Sequence, residues 1–228
     1  VPATNCGDYP ENIVYERSLG VNTDLGLMAT WADSQSNDKP VVWKDMVGWA
    51  LSPAKYDHGL GSHIPVLSAP GPSLSENITI GEVDFYGSSA FFYSRNRSSY
   101  INDSILYRLG SRDGTLMEQG NLLRNTRSDQ VLGLDHNNIF GFLGELDADS
   151  AGTVYSTNES NIDPQFTNFL NLPNDSPLRT MSQSNGRLGA EVLYFKGNSG
   201  TFFNDANFDS ETSLSMWPFP HETYIQNH

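Results

Sequence analysis

Apolar residues come along this chain in short bursts separated by polar, turn-forming residues, with no sustained helical period. The bursts are Asn12–Glu16, Leu25–Trp31, Val41–Leu51, Ile78–Tyr86, Ala90–Tyr93, Ile105–Leu109, Ile139–Leu146 and Ala190–Phe195. Each has strand length and is rich in β-branched or aromatic residues, which fit a pleated surface. In Ile78-Thr79-Ile80-Gly81-Glu82-Val83 the alternation changes phase near Gly81, which predicts a bulge. The 20 Gly, 12 Pro and 21 Asn are spread evenly and interrupt any long helix. One short helix is expected near 163–171. Asp163 would cap it, Pro164 would take its first position, and Phe166, Phe169 and Leu170 share one face.

Asn37-Asp38-Lys39-Pro40, Asp113-Gly114, Asn185-Gly186 and Gly197-Asn198 read as turns. No repeat of fixed period is visible. Many short strands with turn signals between them predict an all-β fold, a two-sheet sandwich or jelly roll, with a closed β-barrel or β-trefoil as the alternative. A single domain, 1–228, is expected. The Ser68–Ser75 stretch, with Pro70 and Pro72, reads as a long loop or boundary.

Charge narrows the partners. Thirteen Lys+Arg against 27 Asp+Glu give a net charge of −14. Such a surface repels phosphate backbones and anionic membranes, so neither nucleic acid nor membrane is an expected partner. No apolar run reaches the roughly 18 residues that span a bilayer. The start at Val1 resembles the mature end of a processed secreted chain. Cys6 is the one cysteine, so an internal disulfide is excluded, and a bridge through it would join two chains. Sequons occur at Asn77, Asn96, Asn102, Asn158 and Asn174; with 21 asparagines about four arise by chance. Asn96 and Asn102 fall in the polar stretch Ser94–Ser104, which reads as an exposed loop. These features predict an extracellular, secreted glycoprotein.

Glu145-Leu146-Asp147-Ala148-Asp149 is the leading candidate for chemistry. On a strand, alternate residues share a face, so the three carboxylates would stand about 6.6–7 Å apart. Crowded carboxylates drive their pKa values apart, which suits an acid and a nucleophile at Glu145 and Asp147. The run resembles the Glu-x-Asp-x-(x)-Glu strand of retaining β-glucan hydrolases with a jelly-roll fold, departing from it at the final Glu. Asp147, Asp149 and Gly152 also match the first, third and sixth positions of a calcium loop, so calcium is the one cofactor suggested. Asp57, His58 and His63 cluster in sequence, as do Asp135 and His136, without metal spacing or a nucleophile elbow. Among the aromatics, Trp43, Trp49 and Tyr93 are candidates to stack on sugar rings. Trp43 and Trp49 would share a face if they lay on one unbroken strand.

Gly61-Ser62-His63-Ile64-Pro65, Ile105-Leu106-Tyr107 and Gln130-Val131-Leu132-Gly133-Leu134 carry a resemblance over about a third of the chain. They resemble small secreted fungal cell-wall proteins related to phialide-development and hypersensitive-response-inducing proteins. That resemblance implies a non-enzymatic role at the cell surface. The expected function is binding of carbohydrate or a cell-wall component. The alternatives are a glycan-cleaving enzyme using Glu145 and Asp147, and a viral or structural interaction domain.

Overall fold

A computed structural model describes residues 14–21, 28–29, 41–49, 67–69, 73–83, 90–94, 98–109, 121–125, 128–129, 131–142, 145–147, 152–167, 170–191, 194–197, 206–207 and 210–215. The chain divides into two compact units, 1–190 and 191–228.

The first unit is built from strands that return to the same sheet every third element. Sheet A runs β1 (Val14–Glu16), β4 (Val41–Lys44), β7 (Ser73–Glu76), β10 (Ser99–Asn102), β13 (Val131–Asp135), β16 (Thr153–Thr157). Sheet B holds β2 (Leu19–Val21), β5 (Val47–Trp49), β8 (Thr79–Val83), β11 (Ile105–Leu109) and β14 (Asn138–Phe140). Sheet C holds β3 (Met28–Ala29), β6 (Leu67–Ala69), β9 (Ala90–Ser94), β12 (Asn121–Asn125) and β15 (Glu145–Asp147). Every ladder in these three sheets is parallel and pairs each strand with its counterpart one coil away. The chain therefore winds as stacked three-strand coils. The all-β class holds, but these ladders are not the antiparallel Greek-key pairings of a sandwich or jelly roll. The second unit contains an antiparallel pair, β17 (Tyr194–Lys196) and β18 (Glu211–Ser215).

The turn from sheet A to sheet B is the same in every coil. It consists of one residue with left-handed backbone followed by one that faces inward. The left-handed residues are Arg17, Asp45, Asn77, Asp103, His136 and Asn158, with φ between 50° and 56°. Asn and Asp tolerate this region better than most residues, and they fill four of the six places. Main-chain ladders continue through the corner: Asp45 N–H donates to Glu76 O, Asn77 to Asn102 O, and Asp103 to Asp135 O. A second left-handed stack closes sheet B at Glu82, Arg108 and Gly141. The expected break in β8 is therefore real, one residue beyond Gly81. Arg108 Nη1 lies 3.1 Å from Glu82 Oε1 and bridges the two bulges.

The inward positions form one core: Trp43, Met46, Ile78, Ile80, Val83, Ile101, Leu106, Leu109, Leu132 and Leu134. Trp43 sits opposite Ser75 in the ladder, so a small residue stands beside the largest one. The Oγ atoms of Ser73 and Ser75 are buried without a partner among the described residues.

The outer face of sheet B is covered by residues 160–190. Leu172, Leu178 and Leu188 bury Ile105, with Ile162, Phe166 and Met181 around them. Arg179 holds this segment together, with Nε donating to Pro173 O at 2.8 Å and Nη2 to Leu172 O at 2.7 Å. At its end Ala190 N–H donates to Thr79 Oγ1 across the sheet.

Several expectations are corrected here. The helix near 163–171 is not formed. Asp163 Oδ1 does accept Gln165 N–H, but Gln165 and Leu170 turn left-handed (φ 48° and 65°), which ends any helical path. Packing of Phe166 on the sheet outweighs the helical period. The helix among the described residues is a single 3₁₀ turn, Pro177–Arg179. The stretch 68–75 carries β6 and β7 inside the first unit. Ser99–Asn102 of the expected loop is a strand, with Ser99 and Ile101 buried. Val41–Leu51 contains two strands on different sheets, split by the corner at Asp45 and Met46.

Candidate functional site

Among the described residues, two outer faces carry aromatic side chains. On sheet B, Trp49, Gly81, Tyr107 and Phe140 occupy one cross-strand row. The Trp49 ring leans over Gly81 and stacks on Tyr107, with centroids 5.8 Å apart and an interplanar angle of 12°. Tyr107 stacks in turn on Phe140 at 6.0 Å, also at 12°. Phe166 meets Tyr107 and Trp49 edge-on. Ring faces that meet one another are not presented to a ligand. This row is packing that seats the 160–190 segment.

Sheet A is different. Its outward row in the adjoining coils is Leu74, Tyr100, Gly133 and Tyr155. Tyr155 leans over Gly133, where a Cβ would lie 2.5 Å from its Cζ. Both tyrosines are partly exposed. Burial, followed by the nearby Tyr100 and Asp135, raises the Tyr155 pKa above its ordinary value. The next outward row is Glu76, Asn102, Asp135 and Thr157.

Asp135 is the centre of a polar cluster at the corner. Its Oδ1 accepts from Asn158 Nδ2 (2.8 Å), Thr157 Oγ1 (2.9 Å) and His136 Nδ1 (2.9 Å). Its Oδ2 accepts from Gln183 Nε2 at 2.9 Å. Gln183 N–H donates to Asp103 Oδ1 at 2.7 Å, tying the covering segment to the same corner. Burial alone would raise the Asp135 pKa. The bonds from Asn158 and Thr157 and the pull of His136 outweigh it and hold the carboxyl below its usual value. Four donors use most of the acceptor capacity of this carboxylate. These bonds favour its charged form and fix its position.

Beneath the corner an inward polar ladder runs through Ser104, Asn137 and Glu159. Ser104 Oγ accepts Ile78 N–H at 3.1 Å, and Asn137 Oδ1 accepts Ser104 N–H at 2.9 Å. Asn137 Nδ2 donates to Ile101 O (2.9 Å) and to Glu159 Oε1 (3.2 Å). Each side chain serves the backbone of the coil before it, and the Glu159 carboxylate likewise accepts the Asn137 N–H. Burial raises the Glu159 pKa to about 7 despite these bonds.

The residues singled out from sequence are scattered. Trp43 is 2% exposed in the core, which leaves no ring face for a ligand, and the corner at Asp45 puts Trp49 on another sheet. Tyr93 is in β9, and Glu145 and Asp147 are in β15 opposite Asn121 and Leu123; their side chains lie outside the described residues. Cys6, Asp57, His58, His63, Asn96 and Asp149 also lie outside them. Asn77 and Asn158 take left-handed corner positions, and Asn102 ends β10. Among the described residues no three His, Cys, Asp or Glu are grouped to hold a metal. Tyr100, Tyr155 and Gln183 were not legible as site residues, although both tyrosines stand three residues before a left-handed Asp or Asn.

Comparison with family models, characterised proteins and solved structures gives no significant match.

Proposed function

We propose that the first unit is a non-catalytic binding module for carbohydrate or a cell-wall component, acting outside the cell through the outer face of sheet A. The observation that carries this reading is Tyr100 and Tyr155 in one outward row beside a row holding Asn102, Asp135 and Thr157. Aromatic rings stack on the apolar faces of sugars, and side-chain amides and hydroxyls such as those of Asn102 and Thr157 bond their hydroxyls. A parallel sheet repeats these groups at the spacing between strands, about 4.8 Å, which suits an extended polymer. The net charge of −14 favours neutral or cationic polysaccharides over polyuronates.

The test incubates the purified protein with plant, fungal and algal polysaccharides and scores retention and new reducing ends. Retention without new ends, weakened at least about tenfold by Tyr155→Ala, supports the module. New ends on any polymer would replace it with a glycan-cleaving enzyme and make Glu145→Gln the next variant.

A further inference from the structure

Sheet A has six strands where sheets B and C have five each, and β16 is its last rung. It has β13 on one side and no neighbouring strand on the other among the described residues. Thr153 and Thr157 are exposed. Val154 and Ser156 face inward beside Leu132 and Leu134, yet they stay partly exposed where those leucines are fully buried. The stack is therefore open to solvent at β16. The main chain shows which groups face that way. In the earlier coils the left-handed corner residue donates its N–H to the next coil: Asp45 to Glu76 O, Asn77 to Asn102 O, Asp103 to Asp135 O and His136 to Thr157 O. Asn158 holds the same corner with no further coil among the described residues. Successive peptide groups of a strand alternate sides. Those of Val154 and Ser156 point to the open edge, whereas Thr157 O, which accepts His136 N–H, points back to β13. Natural edge strands are blunted by charge, proline or a bulge. Thr153-Val154-Tyr155-Ser156-Thr157 has no charge and no proline, in a chain of net charge −14, and its ladder to β13 is unbroken.

We infer that a second copy of this chain docks on this edge, β16 against β16, antiparallel about a two-fold axis through Tyr155. The open peptide groups set the register. Residues that exchange main-chain bonds must both point to the edge, which allows pairings centred on Val154, Tyr155 or Ser156. The pairing centred on Tyr155 engages the whole strand. Val154 then exchanges main-chain bonds with Ser156 of the second copy, and Ser156 with its Val154. Tyr155 stands opposite its own counterpart, and Thr153 opposite Thr157, in the non-hydrogen-bonded places where side chains approach most closely. Threonine pairs and aromatic pairs across strands are stabilising. No like charges face each other across the strand pair, so the net charge of −14 acts at longer range, and added salt tightens the contact by screening. Each copy uses the same patch, so the assembly closes as a dimer. Sheet A then runs on through the axis as one sheet, and Val154 and Ser156 become covered. This inference is independent of any glycan.

The test is a register-specific disulfide in a Cys6→Ser background. Thr153→Cys protein and Thr157→Cys protein are oxidised mildly, each alone and then mixed. Both sites are exposed, and urea unfolding checks that each variant stays folded. In the mixture the two cysteines face each other with Cα atoms about 4.5 Å apart. In either variant alone the like cysteines lie roughly 14 Å apart along the strands, beyond the bridgeable range of about 7 Å. The mixed disulfide is therefore expected at least about tenfold faster than either self-disulfide. Sedimentation of the unsubstituted chain is expected to show monomer and dimer and no larger species, with the dimer fraction rising with concentration and salt. Equal rates in the three reactions, no mixed disulfide, a monomer at every concentration and salt level, or assemblies that grow beyond the dimer would each overturn the inference.

Discussion

The Trp49 indole occupies the space that a side chain at Gly81 would need: a Cβ there would lie 2.5 Å from Cζ3. The ring spans the glycine and reaches Tyr107 in the coil beyond. Tyr155 and Gly133 repeat this arrangement on sheet A. An aromatic laid over a cross-strand glycine recovers the packing that the glycine lacks.

Gly81→Ala is therefore expected to destabilise the first unit by about 1–3 kcal/mol, because the added methyl displaces a ring already stacked. Urea unfolding measures this, and near-UV circular dichroism reports the loss of ring stacking. In a Trp49→Ala background the same change should cost little, since the obstruction is gone. Equal costs in both backgrounds would exclude the arrangement.

Asn137→Ala removes an acceptor for Ser104 N–H and a donor for Ile101 O, both buried. Unsatisfied buried groups cost roughly 1–3 kcal/mol each, so a loss of about 2–4 kcal/mol is expected in urea unfolding. Ser75→Ala should go the other way by about 1 kcal/mol, since its hydroxyl is buried without a partner among the described residues.

Two carboxyl groups set opposite pH limits. Burial gives Glu159 a folded pKa of about 7, above the ordinary glutamate value of 4.5, so the folded state binds the extra proton between these values. Its contribution is full below the unfolded pKa and is lost as pH rises through about 7. Asp135 is shifted down, so its contribution is present above its unfolded pKa and is lost as pH falls through the lower folded value. Stability is expected to peak in mildly acidic solution. Glu159→Gln should flatten the decline between pH 5 and 8. A melting-temperature profile of that variant parallel to the parent's would contradict the assignment.

The strand-rich class was legible because the apolar bursts are short and β-branched. The coil was not, because successive corners lie 22 to 33 residues apart, which hides any fixed period. The corner itself was written in the chain: Asp45, Asn77, Asp103 and Asn158 each precede an inward residue and a sheet B position. Asn77 and Asn158 were read as sequons, whereas the left-handed backbone also favours asparagine there. The helix near 163–171 failed because a two-turn segment has little intrinsic stability and the sheet offers Phe166 and Leu172 better burial. Trp43 and Trp49 looked like one surface because nothing in their spacing reveals a corner between them.

The most direct test of the central claim is a ¹H–¹⁵N correlation spectrum of the labelled chain, titrated with oligomers of whichever polysaccharide retains it. Binding on sheet A predicts shifts concentrated in 99–102, 131–135 and 153–157, and their loss in Tyr100→Ala/Tyr155→Ala. Shifts confined to β15, or to 191–228, would contradict it.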